Sequence, residues 1–172
     1  IHTRSPAMGL ARDGAGWRIA TSQGALRAKW VVMGTDAYAS GPVFPEIRTQ
    51  QVHLPYFNFA TEPLPADLLA RITPEREGCW DTREVLTSFR RDAAGRLVFG
   101  SVGALRRGGA AVHRAWALRA IARLWPELKG VRIEAAWYGQ IGMTSDNLPR
   151  FHRLAENVIT VCGYNGRGIA PG

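Results

Sequence analysis

A chain of 172 residues, 46% hydrophobic and 21% charged, is long enough to bury a core in one domain or a small pair, and too apolar for a disordered segment. A net charge of +8 raises the question of an anionic partner, but the arginines are scattered through apparent strands, turns and one helix. With no basic run and no interleaved aromatic platform, that pattern argues against nucleic acid, and no apolar run approaches a membrane span.

Ile1 to Leu10 reads as a short extended stretch interrupted by Pro6. Trp17, Ile19 and Thr21 alternate with polar neighbours, Ser22-Gln23-Gly24 supplies a turn, and Leu26, Ala28, Trp30 and Val32 resume the alternation, which predicts a β-hairpin. Val31, Val32 and Met33 lose the alternation. The second strand is therefore expected to leave a small meander and enter a main sheet, ending at Gly34-Thr35-Asp36, where Asp36 reads as a helix N-cap.

The composition changes from Glu46 onward. Val52, Leu54 and Tyr56, with Phe57 and Phe59, give a strand that Pro55 places at an edge or bulge. Ala66 to Ile72 suits a short helix, and Val85–Arg91 and Arg96–Ser101 flank Asp92-Ala93-Ala94-Gly95 as an antiparallel hairpin. The one clear helix runs from Ala110 to Leu124 with an apolar stripe of Leu118, Ile121, Ala122 and Trp125, and Pro126 stops it. Trp116 and Trp125 read as core. Val131, Ile133, Ala135, Trp137, Gly139 and Ile141 alternate through a further strand, which completes an antiparallel sheet covered by a helix.

Val158 to Cys162 is rich in β-branched residues and lacks polar alternation, as a central parallel strand buried on both faces would. Gly163, Gly166 and Gly168 follow it. A strand feeding a glycine-rich turn and a helix is how α/β proteins present backbone N–H groups to an electron-rich ligand. The order here is G-x-x-G-x-G, so this is not the G-x-G-x-x-G pyrophosphate loop. Arg167 beside a helix start opposes the macrodipole, which favours an acceptor nearby, although an exposed loop arginine is an equal reading.

The ending GYNGRGIAPG resembles the C-terminal flavin-binding turn of the FAD-dependent D-amino acid oxidase superfamily, in its γ-glutamylputrescine-oxidase-like and sarcosine-oxidase-like branch. Thr21, Gly24, Ala28, Val31 and Val32 fit the family's segment into the FAD-binding sheet, and Trp125 to Pro149 is similar to its substrate-domain exit. The resemblance implies an α/β protein, α+β within these residues. Residues 1–45 and 146–172 would be part of an FAD-binding Rossmann-like sheet, and residues 46–145 an antiparallel substrate-binding sheet covered by a helix. It implies a turn, Gly163 and Tyr164 onward, whose backbone at Asn165, Gly166, Arg167, Gly168 and Ile169 donates to the flavin N1/C2=O region. It also implies backbone contact of Ala7 and Met8 with the adenine, and a cofactor-side position for Asp36, which stands where Asn is common in relatives. The chain opens inside an apparent strand and stops where a helix should start, so it reads as a fragment of a longer protein whose pyrophosphate loop lies upstream.

The implied reaction oxidises the C–N bond of a small amine or amino acid, with hydride passing to FAD and O₂ as acceptor. His2, His53, His113 and His152 are too dispersed for a metal site, and no nucleophile triad or metal-ligand spacing competes. His53, Tyr56, Arg90 and Trp137 are the candidate catalytic residues, being on strands of the substrate sheet. Alternation puts Tyr56 on one face and His53 near the other, so not all can point inward. Cys79 and Cys162, in unrelated contexts, read as free thiols of a reducing, cytoplasmic compartment. A different class of function is also open. As a fragment without its dinucleotide loop, the chain could be flavin-free and non-catalytic, with the strand 158–162 as an exposed apolar edge that pairs with a second copy.

Overall fold

In a computed structural model of the chain, which describes residues 1–167, the predicted hairpin closes with Ile19 opposite Leu26 and Trp17 opposite Ala28. It forms the second half of a meander of three antiparallel strands, β1 (Ala7–Asp13), β2 (Gly16–Thr21) and β3 (Gly24–Ala28). β1 begins just after Pro6, which has no N–H for a ladder. Trp17 anchors the meander: it is buried, its indole N–H donates to the Glu156 carbonyl at 3.0 Å, and the Arg12 guanidinium sits 4.5 Å above its ring. The chain then leaves the meander, as expected, for a short strand β4 (Val31–Met33).

The chain divides into two units, Ile1–His53 with the described residues from Gln140 on, and Leu54–Gly139. The pattern of aromatic and β-branched residues folds into a sheet that lies mostly in the second. β5 (Val52–Pro63) is followed by helix α1 (Ala66–Ile72), then β6 (Cys79–Trp80), β7 (Thr87–Arg91) and β8 (Arg96–Val102), then helix α2 (Gly109–Leu124) and β9 (Ile133–Met143). The strands lie in the order β6-β7-β8-β5-β9. β5 is thus an interior strand, which corrects the edge-or-bulge placement drawn from Pro55, the register shift to β8 lying further on, between Ala60 and Pro63. Pro55 sits one residue outside the Tyr56–Val102 pair, and its carbonyl accepts the Gly103 N–H, so its missing donor breaks no bond to β8.

Register fixes which side chains share a face. Phe59 and Phe89 both pair with Phe99, and Phe57 with Ser101, so the odd-numbered positions present a continuous aromatic surface. Helix α2 packs there. Phe57 meets Trp116 edge-on at 5.9 Å and His113 in a stack at 4.7 Å, and Phe89 meets Trp125 edge-on at 4.8 Å. The buried helix face is Ala117, Ala120 and Ile121, so of the predicted stripe Ile121 is buried and Trp125 packs against the core, while Leu118 and Ala122 give way to Ala117 and Ala120. The physical reason is steric, since the rings project far from the sheet and small residues let the helix approach them.

The hairpin between β7 and β8 is closed by one carboxylate. Asp92 accepts N–H bonds from Ala94 and Arg96 and holds the Arg96 guanidinium at 2.7 Å. Desolvation works against its ionisation, but the Arg96 and Ala94 hydrogen bonds and the Arg96 charge outweigh it and hold the carboxyl below its usual range. Because the folded value lies below the unfolded one, this contribution is complete above an unfolded value of about 4 and is lost as pH falls further. Asp92→Ala is therefore expected to lower the thermal midpoint at neutral pH and to flatten its decline in acid. An unchanged acid profile in that variant would contradict the assignment.

The last two strands, β10 (Arg150–Ala155) and β11 (Val158–Cys162), return to β4 and form a sheet of order β10-β11-β4. β11 pairs antiparallel with β10 and parallel with β4, and the Thr160 hydroxyl donates to the Met33 carbonyl at 2.7 Å. The expected open edge at 158–162 is thus occupied on both sides. Val158, Thr160 and Cys162 are buried and Ile159 and Val161 half-buried, so the strand has one inner face rather than two. On that side Cys162 packs with Ala39, Ile47, Phe44 and Leu154. Both cysteines are free thiols, and burial first pushes each above the ordinary thiol range. The whole is a mixed α/β chain of mostly antiparallel sheets with few helices, and among the described residues no helix is long and apolar enough to cross a membrane.

Candidate functional site

β11 delivers the chain into the glycine turn. Gly163, Asn165 and Gly166 all have positive φ, +70°, +54° and +77°, which glycine and asparagine adopt most readily. The turn is tied down at both ends. At its start, the Gly163 N–H donates to Asp36 Oδ1 at 2.7 Å and to Gln51 Oε1 at 2.9 Å, while Gln51 Nε2 donates to the Asp36 carbonyl at 2.8 Å. Further on, Asn165 donates its N–H to the Gly142 carbonyl at 2.9 Å and accepts the Thr144 N–H on Oδ1 at 2.8 Å. Its Nδ2 reaches Gly163 O and Thr144 Oγ1.

Asp36 is not an N-cap. It opens the 3-10 turn Asp36–Tyr38, with Thr35 before it making no side-chain cap bond, and its carboxylate instead caps the Gly163 amide. The outward donation expected of Asn165 and Arg167 is also corrected. The Asn165 N–H is engaged by Gly142, and the Arg167 N–H by the Tyr164 carbonyl at 2.9 Å. Among the described residues, the N–H groups of Tyr164 and Gly166 have no acceptor. Gly168 and Ile169 lie outside the described residues. Ala7 and Met8 open β1, where the register to β2 shifts between Ala7 and Gly9, and Met8 is 55% exposed.

In the five-stranded sheet, Tyr56 and Asn58 of β5, Gly100 of β8 and Ser88 and Arg90 of β7 share the face opposite the phenylalanine core. The Tyr56 hydroxyl is 2.8 Å from Ser88 Oγ, and its ring lies over Gly100, where a Cβ would meet Tyr56 Cε1 at 2.8 Å and Asn58 Oδ1 at 2.7 Å. Burial raises the Tyr56 phenol above its ordinary value, the Ser88 bond acts against this and the Asp81 charge adds to it, so the phenol stays neutral at neutral pH. Tyr56 and Arg90 are therefore brought to one face. His53 belongs to the other unit, with Nε2 buried and without a partner among the described residues, and Trp137 lies exposed on β9. Gln51, Thr144, Ser88 and Gly100 were not foreseen, since their partners lie as far as 112 residues away in sequence.

These elements define a fold shared with solved enzymes. The chain superimposes on L-proline dehydrogenase from P. horikoshii with a TM-score of 0.69 at 18% identity, covering 95% of this chain and 45% of that one. It superimposes on glycine oxidase from Geobacillus kaustophilus with a TM-score of 0.63 at 18% identity, covering 93% and 42%. Residues 1–172 match the FAD dependent oxidoreductase family, DAO, and the chain belongs to it. Among curated relatives, gamma-glutamylputrescine oxidoreductase of Escherichia coli (strain K12) is 30% identical over 159 residues, covering 88% of this chain and 35% of that protein. A probable oxidoreductase, OrdL, of Haemophilus influenzae is 26% identical, covering 99% and 39%. The chain thus spans less than two-fifths of the length of these two relatives.

FAD fits the corner on the chain's own geometry. The turn is fixed by the surrounding bonds, two amides are free of partners among the described residues, and Gly166 is exposed with no side chain to obstruct approach. No G-x-G-x-x-G occurs within these 172 residues.

Proposed function

We propose that this chain is the substrate-sheet and flavin-ring-contacting portion of an FAD-dependent oxidase of amines or amino acids. The observation that carries the reading is the turn itself, pinned at Gly163 and Asn165 while the amides at Tyr164 and Gly166 stay free. FAD, when bound, supplies the two-electron acceptor for C–N oxidation, with O₂ as the final acceptor. The Tyr164 and Gly166 amides would lie at the pyrimidine side of the ring, where negative charge gathers on reduction, and the exposed Arg167 adds positive charge at the same turn. Ala7 and Met8 would meet the adenine through their backbone. The Tyr56–Ser88 pair and Arg90 give the substrate sheet a polar face that can orient a substrate by hydrogen bonding and charge. The 30% identity to an enzyme named for gamma-glutamylputrescine favours an amine over an α-amino acid.

The full-length protein is expected to purify yellow, to lose its flavin absorbance on anaerobic addition of an amine, and to release H₂O₂ when air is admitted. Gly166→Val places bulk at φ +77° in the proposed contact. It should weaken FAD retention by about 10- to 100-fold, equivalent to about 1.4–2.8 kcal/mol. Wild-type flavin content and reduction rate in that variant would remove the turn from the flavin.

A further inference from the structure

Two acceptor oxygens converge on one hydrogen at the Gly163 amide, Asp36 Oδ1 at 2.7 Å and Gln51 Oε1 at 2.9 Å. A single N–H is satisfied by one good acceptor, so two oxygens in its path do more than fill a hydrogen-bonding vacancy. Gln51 is buried, and its own amide closes the triangle on the Asp36 carbonyl. The neighbouring strand is cut back to admit it: a Cβ at Gly142 would lie 1.9 Å from Gln51 Oε1 and 3.0 Å from Asp36 Oδ1. Three segments distant in sequence, the 3-10 turn after β4, the entry to β5 and the end of β9, thus close on the residue that starts the glycine turn.

We propose that Gln51 and Asp36 are positioning residues that set the placement and the electrostatic potential of the Gly163–Gly166 turn, and through it the affinity and reduction potential of the flavin, without touching the flavin. This rests on the reading that the turn contacts the ring. Gln51 supplies placement, since it alone bonds both the Gly163 amide and the Asp36 carbonyl. Asp36 supplies charge, since a carboxylate behind the turn opposes further negative charge in front of it and holds the reduction potential down.

The two roles separate in two variants of the full-length, FAD-loaded protein. Gln51→Leu removes both of its bonds at similar volume, and is expected to raise the FAD dissociation constant and the exchange rate of the Gly163 amide in the apoprotein each by about tenfold. Asp36→Asn keeps an acceptor oxygen for Gly163 but removes the charge. It is expected to hold FAD within about twofold of wild type while the reduction potential moves to more positive values, a shift that a merely structural residue would not produce. Wild-type affinity and amide exchange in Gln51→Leu, or an unmoved potential in Asp36→Asn, would overturn the proposal while a yellow wild-type protein left the functional reading standing. A full-length wild type that takes up no FAD would overturn both. Should Gln51→Leu fail to fold, the potential of Asp36→Asn decides the matter alone.

Discussion

Phe99→Ala is expected to destabilise the Leu54–Gly139 unit by about 3–5 kcal/mol, the range for truncating a buried aromatic. Phe99 has no exposed surface and is the residue on which the aromatic layer converges: it pairs with Phe59 on one side and Phe89 on the other, and Trp116 lies against it at 5.9 Å. Its loss leaves a void between two strands and a helix whose buried face is built of Ala117, Ala120 and Ile121, residues too short to fill it. Against a total stability of about 5–15 kcal/mol, that loss places the variant near the unfolding threshold. Urea denaturation is the suitable measurement, and a midpoint little changed from wild type would show that the helix does not depend on the sheet for its packing. Phe99→Leu, which keeps most of the volume, should lose less than half as much.

Gly163→Ala is expected to be nearly as damaging, although it adds a single carbon. The backbone there has φ +70°, which costs an L-residue about 1–2 kcal/mol. The new Cβ would also lie 2.4 Å from Thr144 Cγ2. Thr144 cannot turn aside freely, because its hydroxyl donates to the Leu148 carbonyl and accepts from Asn165 Nδ2. Adding an overpacking penalty gives about 2–5 kcal/mol together. The control is Gly34→Ala, where a Cβ meets nothing within 4 Å and φ is ordinary for L-residues, so its melting midpoint should stay at wild type. Equal melting of the two variants would mean that the turn is not held as tightly as its bonds indicate.

The features legible in the sequence are those fixed within a few residues of chain. The Ser22-Gln23 turn, the Asp92 hairpin and the helix at Ala66–Ile72 are written in local residue types, and the structure places each where the pattern does. The rotation of α2 was hidden because it depends on how far Phe57 and Phe99 project from a sheet that the helix sequence does not contain. β10 was hidden as well, since Arg150, His152 and Arg153 give it the look of a polar loop until β11 lies beside it. At the site, glycine spacing and family resemblance marked the turn, but the direction of its amides depended on acceptors at Asp36, Gln51 and Gly142. Two side-chain oxygens take the Gly163 N–H, and a distant carbonyl takes the Asn165 N–H that the resemblance assigned to the flavin.

The same geometry gives the protein a way to age. Asn165 is followed by Gly166, and its side-chain amide donates to Gly163 O and Thr144 Oγ1. Slow hydrolysis of that side chain, with water entering and ammonia leaving, would put a carboxylate oxygen where the donor stands, facing a carbonyl it can only repel. One spontaneous chemical event, with no change in the gene, would then loosen the corner that holds the rest in place.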